Sequence, residues 1–153
     1  MPARRRGRFT KILVPIDGSQ LSMQAAEHSI EIARKDGAQL IALTVNRIPW
    51  STYGLMTPGH ELASTKEKQD IFESRQWLES VADIARENGV ELREELINAQ
   101  MSIAAEIVEY AVSNDVDLII MGTRGRSGLR KMFLGTVAAG VVNSSQCPVM
   151  IIK

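Results

Sequence analysis

Five short apolar runs, separated by longer stretches whose apolar residues recur every three or four positions, constrain this chain's fold more than any other feature. The runs cover residues 11–16, 40–45, 90–96, 118–121 and 149–152 and are rich in Ile, Leu and Val. A strand with one face in water alternates apolar and polar residues, whereas a run that is apolar almost throughout suits a strand covered on both faces, as in a parallel sheet. Residues 90–96 carry charges and read instead as an edge strand. Between the runs, Met23, Ala26, Ile30 and Ala33 mark a helix that starts after Ser19 and stops at Gly37. Leu78, Val81, Ala82 and Ala85 mark a second helix ending before Gly89, and Ile103, Ile107 and Tyr110 a third. Val137, Val141 and Val142 mark a fourth, opening near Thr136. This alternation calls for an α/β domain with one open five-stranded parallel sheet, right-handed crossovers and helices on both faces.

The 153 residues fit a single domain at 9–153 behind a basic arm at 1–8, long enough to bury a core without disulfides. Cys147 is the lone cysteine, which excludes an intrachain disulfide and a zinc cluster and suits the reducing cytoplasm. Residues 132–152 lack charge and would be long enough to span a bilayer, but Asn143, Ser144, Ser145, Gln146 and Pro148 interrupt them. No membrane association is expected. Segment 47–63, with Pro49, Trp50, Gly54, Pro58 and Gly59, has breakers and little periodicity, the mark of a long, functional or mobile connection.

The net charge is zero, yet it is unevenly distributed. Arg4, Arg5, Arg6 and Arg8 crowd the start, and no Asp or Glu follows Asp117, whereas Arg124, Arg126, Arg130, Lys131 and Lys153 do. A neutral chain shows no general nucleic-acid signature, and Glu106 and Glu109 on the third helix would repel phosphate. The acid-free stretch after Asp117 instead points to one small polyanion.

In open α/β sheets, ligands bind beyond the carboxyl ends of the strands, where neighbouring connections leave in opposite directions. Strand one runs into Pro15-Ile16-Asp17-Gly18-Ser19 and strand four into Met121-Gly122-Thr123-Arg124-Gly125-Arg126-Ser127-Gly128, loops that carry glycine and polar atoms directly after the strand. The crevice is expected between strands one and four. Gly122 and Gly125 would let backbone approach a ligand, and Gly135-Thr136 opens the fourth helix, whose N-terminal N–H groups suit phosphate. The Thr136 hydroxyl could add a hydrogen bond or cap the helix. Neither the G-x-G-x-x-G nor the Walker pattern is present, so spacing alone leaves turn glycines and a phosphate cradle as equal alternatives.

The order Gly122, Gly125, Gly135, Thr136 follows the pattern G-x2-G-x9-G-[S/T], and with Ile12-Leu13-Val14-Pro15-Ile16-Asp17-Gly18-Ser19 and Cys147-Pro148-Val149-Met150-Ile151-Ile152 it resembles the ATP-binding branch of the universal stress protein family. The resemblance covers nearly the whole chain and implies an adenine nucleotide alpha hydrolase-like sheet of order 3-2-1-4-5. It implies ATP as ligand, with Pro15, Asp17 and Val45 lining the adenine and ribose pocket, Met121 and Gly122 closing it, and Gly125, Gly135, Thr136 and Val137 holding phosphates through backbone. Arg124 stands at a position that varies in the family, where contact with phosphate and contact with water are equal alternatives. Mg2+ or Mn2+ would accompany the phosphates, and two copies would pair through their fifth strands into a homodimer.

Catalytic equipment is sparse. His28 lies mid-helix, His60 lies in the 47–63 segment, and Glu94-Glu95 lie on the edge strand, so no Ser-His-Asp set or positioned general base emerges. The sequence therefore reads as an ATP-binding stress-response or signalling module acting on a protein partner, at most a slow ATPase. The alternatives are a dimeric interaction protein without nucleotide and a genuine nucleotide hydrolase.

Overall fold

A computed structural model describes residues 9–47, 65–124 and 134–153. Within them the chain runs β1 (Lys11–Pro15), α1 (Gln20–Asp36), β2 (Gln39–Arg47), α2 (Thr65–Glu87), β3 (Leu92–Ala99), α3 (Ile103–Ser113), β4 (Leu118–Gly122), α4 (Thr136–Ser144) and β5 (Val149–Ile152). The strands are all parallel, in the order β3-β2-β1-β4-β5, as the resemblance implied.

Uniformly apolar strands are explained by two cores, one on each face of the sheet. Ile12, Val14, Leu40, Ala42, Leu118 and Ile120 meet Ala25, Ala26, Ile30 and Ala33 of α1 and Leu78, Val81 and Ala85 of α2. On the opposite face Leu13, Ile41, Leu43, Ile119 and Met121 meet Ile107 and Ala111 of α3 and Ala138 and Val141 of α4. Consecutive Ile12, Leu13 and Val14 are all fully buried because alternate side chains enter alternate cores. Burying each such side chain contributes roughly 1.5–3 kcal/mol.

The helix ends follow local chemistry. Ser19 caps α1 by accepting the Ser22 N–H at 3.2 Å, and Gly37 ends it with φ 66°, a left-handed conformation that glycine adopts without a Cβ penalty. Ser102 caps α3 through the Ala105 N–H at 3.2 Å, while Glu106 Oε1 accepts the Gln100 and Met101 N–H groups at 2.7 and 2.9 Å. Glu106 thus stabilises a helix start.

Several expectations need correction. The third strand starts at Leu92, because Val90 is buried in the chain reversal after α2 with its N–H on the Ala85 carbonyl at 2.9 Å. It continues to Ala99, and its pairing with Val45, Asn46 and Arg47 prolongs β2 through Arg47, the residue at which the sequence placed the start of a loop. Val142 is 45% exposed and faces away from the core. Cys147, which as a small apolar side chain next to Pro148 would be expected fully buried, is half-buried and packs at the margin of the second core. The basic arm, His60, Trp50, Gly125, Arg126, Arg130 and Lys131 lie outside the described residues.

At the amino ends of the strands, the Asp117 carboxylate accepts the Thr10 and Lys11 N–H groups at 2.9 and 3.0 Å and the Thr10 hydroxyl at 2.8 Å. Burial alone would raise its pKa, but these hydrogen bonds, led by that from Lys11, hold it below the ordinary carboxylate value.

Candidate functional site

β1 and β4 are hydrogen-bonded neighbours, but their ladder contains only Ile12–Leu118 and Leu13–Ile119. It stops short of Pro15 and Gly122. From these strands the chain enters α1 on one face and α4 on the other, so the carboxyl ends of β1 and β4 form the switch point that the sequence indicated.

The turn after β1 is fixed by a set of short bonds. Ile16 N–H donates to the Leu43 carbonyl at 2.8 Å, and the buried Thr44 hydroxyl donates to the Ile16 carbonyl at 2.9 Å. Asp17 Oδ1 accepts the Ser19 N–H at 2.9 Å, and the Asp17 N–H reaches Ser22 Oγ at 3.4 Å. Gly18 takes φ 80°, where a side chain would be strained. These contacts hold the Asp17 carboxylate at the end of β1.

Alternation along the strands places Val45 and Met121 on the α3 and α4 face, where they and Val137 join one apolar cluster. Gly122 faces the other way: a Cβ there would lie 2.8 Å from Cβ of Leu21 in α1. Its missing side chain serves helix packing. Thr123 then links three elements, its N–H donating to the Ile152 carbonyl at 2.9 Å and its carbonyl accepting the Gly135 N–H at 2.6 Å. Arg124 is half-buried beside this junction.

The start of α4 differs from those of α1 and α3. Its cap residue is Gly135, with no side-chain cap hydrogen bond, and Thr136 is exposed. Thr136 stands inside the helix, so capping, one of its two expected roles, is excluded. The backbone N–H groups of Thr136, Val137 and Ala138 lack intrahelical acceptors by helix geometry. Pro15, Asp17, Val45, Met121, Gly135, Thr136 and Val137 therefore all belong to the carboxyl edge of the sheet or the element entering it.

A model of the universal stress protein family matches residues 8–153. The chain belongs to this family. A universal stress protein of Methanocaldococcus jannaschii is 38% identical over 146 residues, covering 95% of this chain and 82% of the relative. The universal stress protein UspA of Lactobacillus plantarum superposes with a TM-score of 0.82 at 23% identity, covering 95% of this chain and 99% of its own. That of Archaeoglobus fulgidus, solved in complex with dAMP, gives a TM-score of 0.68 at 25% identity, over 95% of this chain and 98% of its own.

In this universal stress protein, Thr44, Ser22 and Trp77 support the β1 turn without having been singled out as site residues. Thr44 had a readable signal, a hydroxyl within the apolar second strand. Ser22 reaches Asp17 locally, from the first turn of α1, whereas Trp77 is distant in sequence and only the fold brings it to Gly18. His28 is exposed on α1, as expected of a helix-surface histidine. Among the described residues no helix is long and apolar enough to cross a membrane.

Proposed function

We propose that this universal stress protein binds ATP across the carboxyl ends of β1 and β4 and acts as a nucleotide-dependent stress-response or signalling module. The observation that carries the reading is the start of α4: a helix end with a glycine cap and no capping side chain, in the stretch after Asp117 that has no Asp or Glu. Such an end favours phosphate through its N–H groups and dipole. Pro15 and Val45 line the adenine pocket, Met121 closes it from the apolar cluster that Val45 joins, and the Asp17 carboxylate is held at the ribose side by its bond to Ser19. Gly122 closes the pocket with Met121, and Gly125, Gly135, Thr136 and Val137, with Arg124, hold the phosphates in this proposal. The relative solved with dAMP supports an adenine nucleotide as the ligand class.

No group of three His, Cys, Asp or Glu suited to a metal exists among the described residues. A magnesium ion fits the proposal as a companion of the phosphates, since Mg2+ keeps waters and needs only one or two carboxylates. In this reading the chain works by binding nucleotide and presenting its loops to a protein partner in the reducing cytoplasm. Two copies pair along β5, the outer strand, where Met150 is 38% and neighbouring α4's Val142 45% exposed.

A ligand that binds only the folded state raises its stability by about 2.7 kcal/mol at a hundredfold excess over Kd. The Tm of nucleotide-free protein should therefore rise progressively with ATP. An unchanged Tm at millimolar ATP contradicts the proposal.

A further inference from the structure

The turn that carries Asp17 also leans on a residue from a distant part of the chain. A Cβ added at Gly18 would lie 2.8 Å from Cδ2 of Trp77 and closer still to Cε2 and Cζ2. The benzenoid ring of the indole therefore occupies the space beside the Gly18 backbone that any other residue would fill. Trp77 is half-buried on α2 and packs against the core cluster that contains Ile16 and Leu78. One turn earlier on the same helix, the Ser74 hydroxyl donates to Asn46 Oδ1 at 3.1 Å. α2 thus touches the ends of both β1 and β2 that border the nucleotide site proposed above.

We infer that Trp77 is a positioning residue of this site: its indole sets where the Asp17-Gly18-Ser19 turn lies and, through that turn, the Asp17 carboxylate. The inference rests on the nucleotide-binding reading. Its physical basis is that Asp17 is bonded to the turn itself, through the Ser19 N–H at 2.9 Å, and cannot hold its place if the turn shifts. Gly18, with φ 80° and no Cβ, allows the close approach that couples turn to ring. Displacing a group by about 1 Å is enough to forfeit most of an oriented contact.

A double-mutant cycle tests this on the full chain, with ATP affinity measured for wild type, Trp77→Leu, Asp17→Ala and the pair. Groups that act through one another give non-additive effects. Each single change should weaken binding about tenfold, and the pair should bind no more weakly than Asp17→Ala alone. Trp77→Phe, which keeps a ring against Gly18, should recover most of the affinity. Additive losses, or wild-type affinity in Trp77→Leu, overturn the inference. If Trp77→Leu does not fold, Gly18→Ala presses on the same contact from the other side and takes its place in the cycle.

Hydrogen exchange keeps this inference distinct from its parent reading. Without any nucleotide, Trp77→Leu should speed exchange at the Gly18 and Ser19 amides and leave α3 unchanged. Unchanged exchange at Ser19 refutes the positioning role even if ATP binds. If wild type binds no ATP, the parent reading fails and a nucleotide role for Trp77 falls with it.

Discussion

Gly135 donates its N–H to the Thr123 carbonyl at 2.6 Å, and a Cβ on Gly135 would lie 2.8 Å from that same oxygen. Its φ of −59° is open to any residue, so the glycine is required by closeness and not by backbone conformation. On the sequence, this glycine allows approach to a ligand; in the structure, it first allows the chain to close on itself. Gly135→Ala should therefore cost about 1–3 kcal/mol through overpacking, even without nucleotide, and should weaken ATP binding as well. Urea unfolding of the nucleotide-free variant checks this, and an unchanged midpoint would show that the loop absorbs the methyl group.

Thr44→Val tests the support beneath Asp17. The change preserves shape but deprives the Ile16 carbonyl of a hydroxyl donor at 2.9 Å in a buried position. Loss of such a bond costs about 1–2 kcal/mol. Tm should fall and ATP affinity should fall with it, because the same bond anchors the turn. A stability loss with unaltered affinity would separate Thr44 from the site.

Much of the fold was legible in the sequence because each apolar run enters two cores and each helix carries its own end signal. Ser19 and Gly37 bound α1 as read, one by a side-chain bond and one by a left-handed φ. Register was harder. Val90 is as apolar as a strand residue but is buried in the reversal after α2, whereas Asn98, polar and exposed, belongs to β3 by pairing with Asn46. At the site, the strand ends and the start of α4 could be placed from glycine and charge. The reasons for individual glycines could not, since Leu21 beside Gly122, Trp77 beside Gly18 and Thr123 beside Gly135 are tertiary neighbours. Spacing records where glycines stand and not what crowds them.

Asp117 gives a pH dependence with a defined sign. Its folded-state pKa is lowered by the hydrogen bonds from Lys11 and Thr10, which outweigh burial. Its contribution is therefore fully present above the unfolded value of about 3.9 and is lost as pH falls through the lower folded value. Asp117→Asn should cost about 1 kcal/mol at neutral pH, moderated by partial exposure. Urea midpoints for the two proteins should converge below the carboxylate range. A gap that persists at the lowest pH would assign the loss to packing.

The proposed dimer is tested at β5. Met150→Glu places a charge on an exposed outer-strand position that pairing would bury, where an unpaired charge is costly. Sedimentation velocity should show a dimer for wild type and a monomer for the variant. An unchanged dimer would locate the interface elsewhere, and a monomeric wild type would remove the proposal.

Isothermal titration of the full chain, stripped of nucleotide, with ATP in the presence of Mg2+ tests the central claim most directly. The account predicts saturable binding, weaker for AMP and weaker again for adenosine, because the start of α4 contributes through the phosphates. Absence of binding heat at millimolar ATP across two temperatures, or equal affinity for ATP and adenosine, would contradict it.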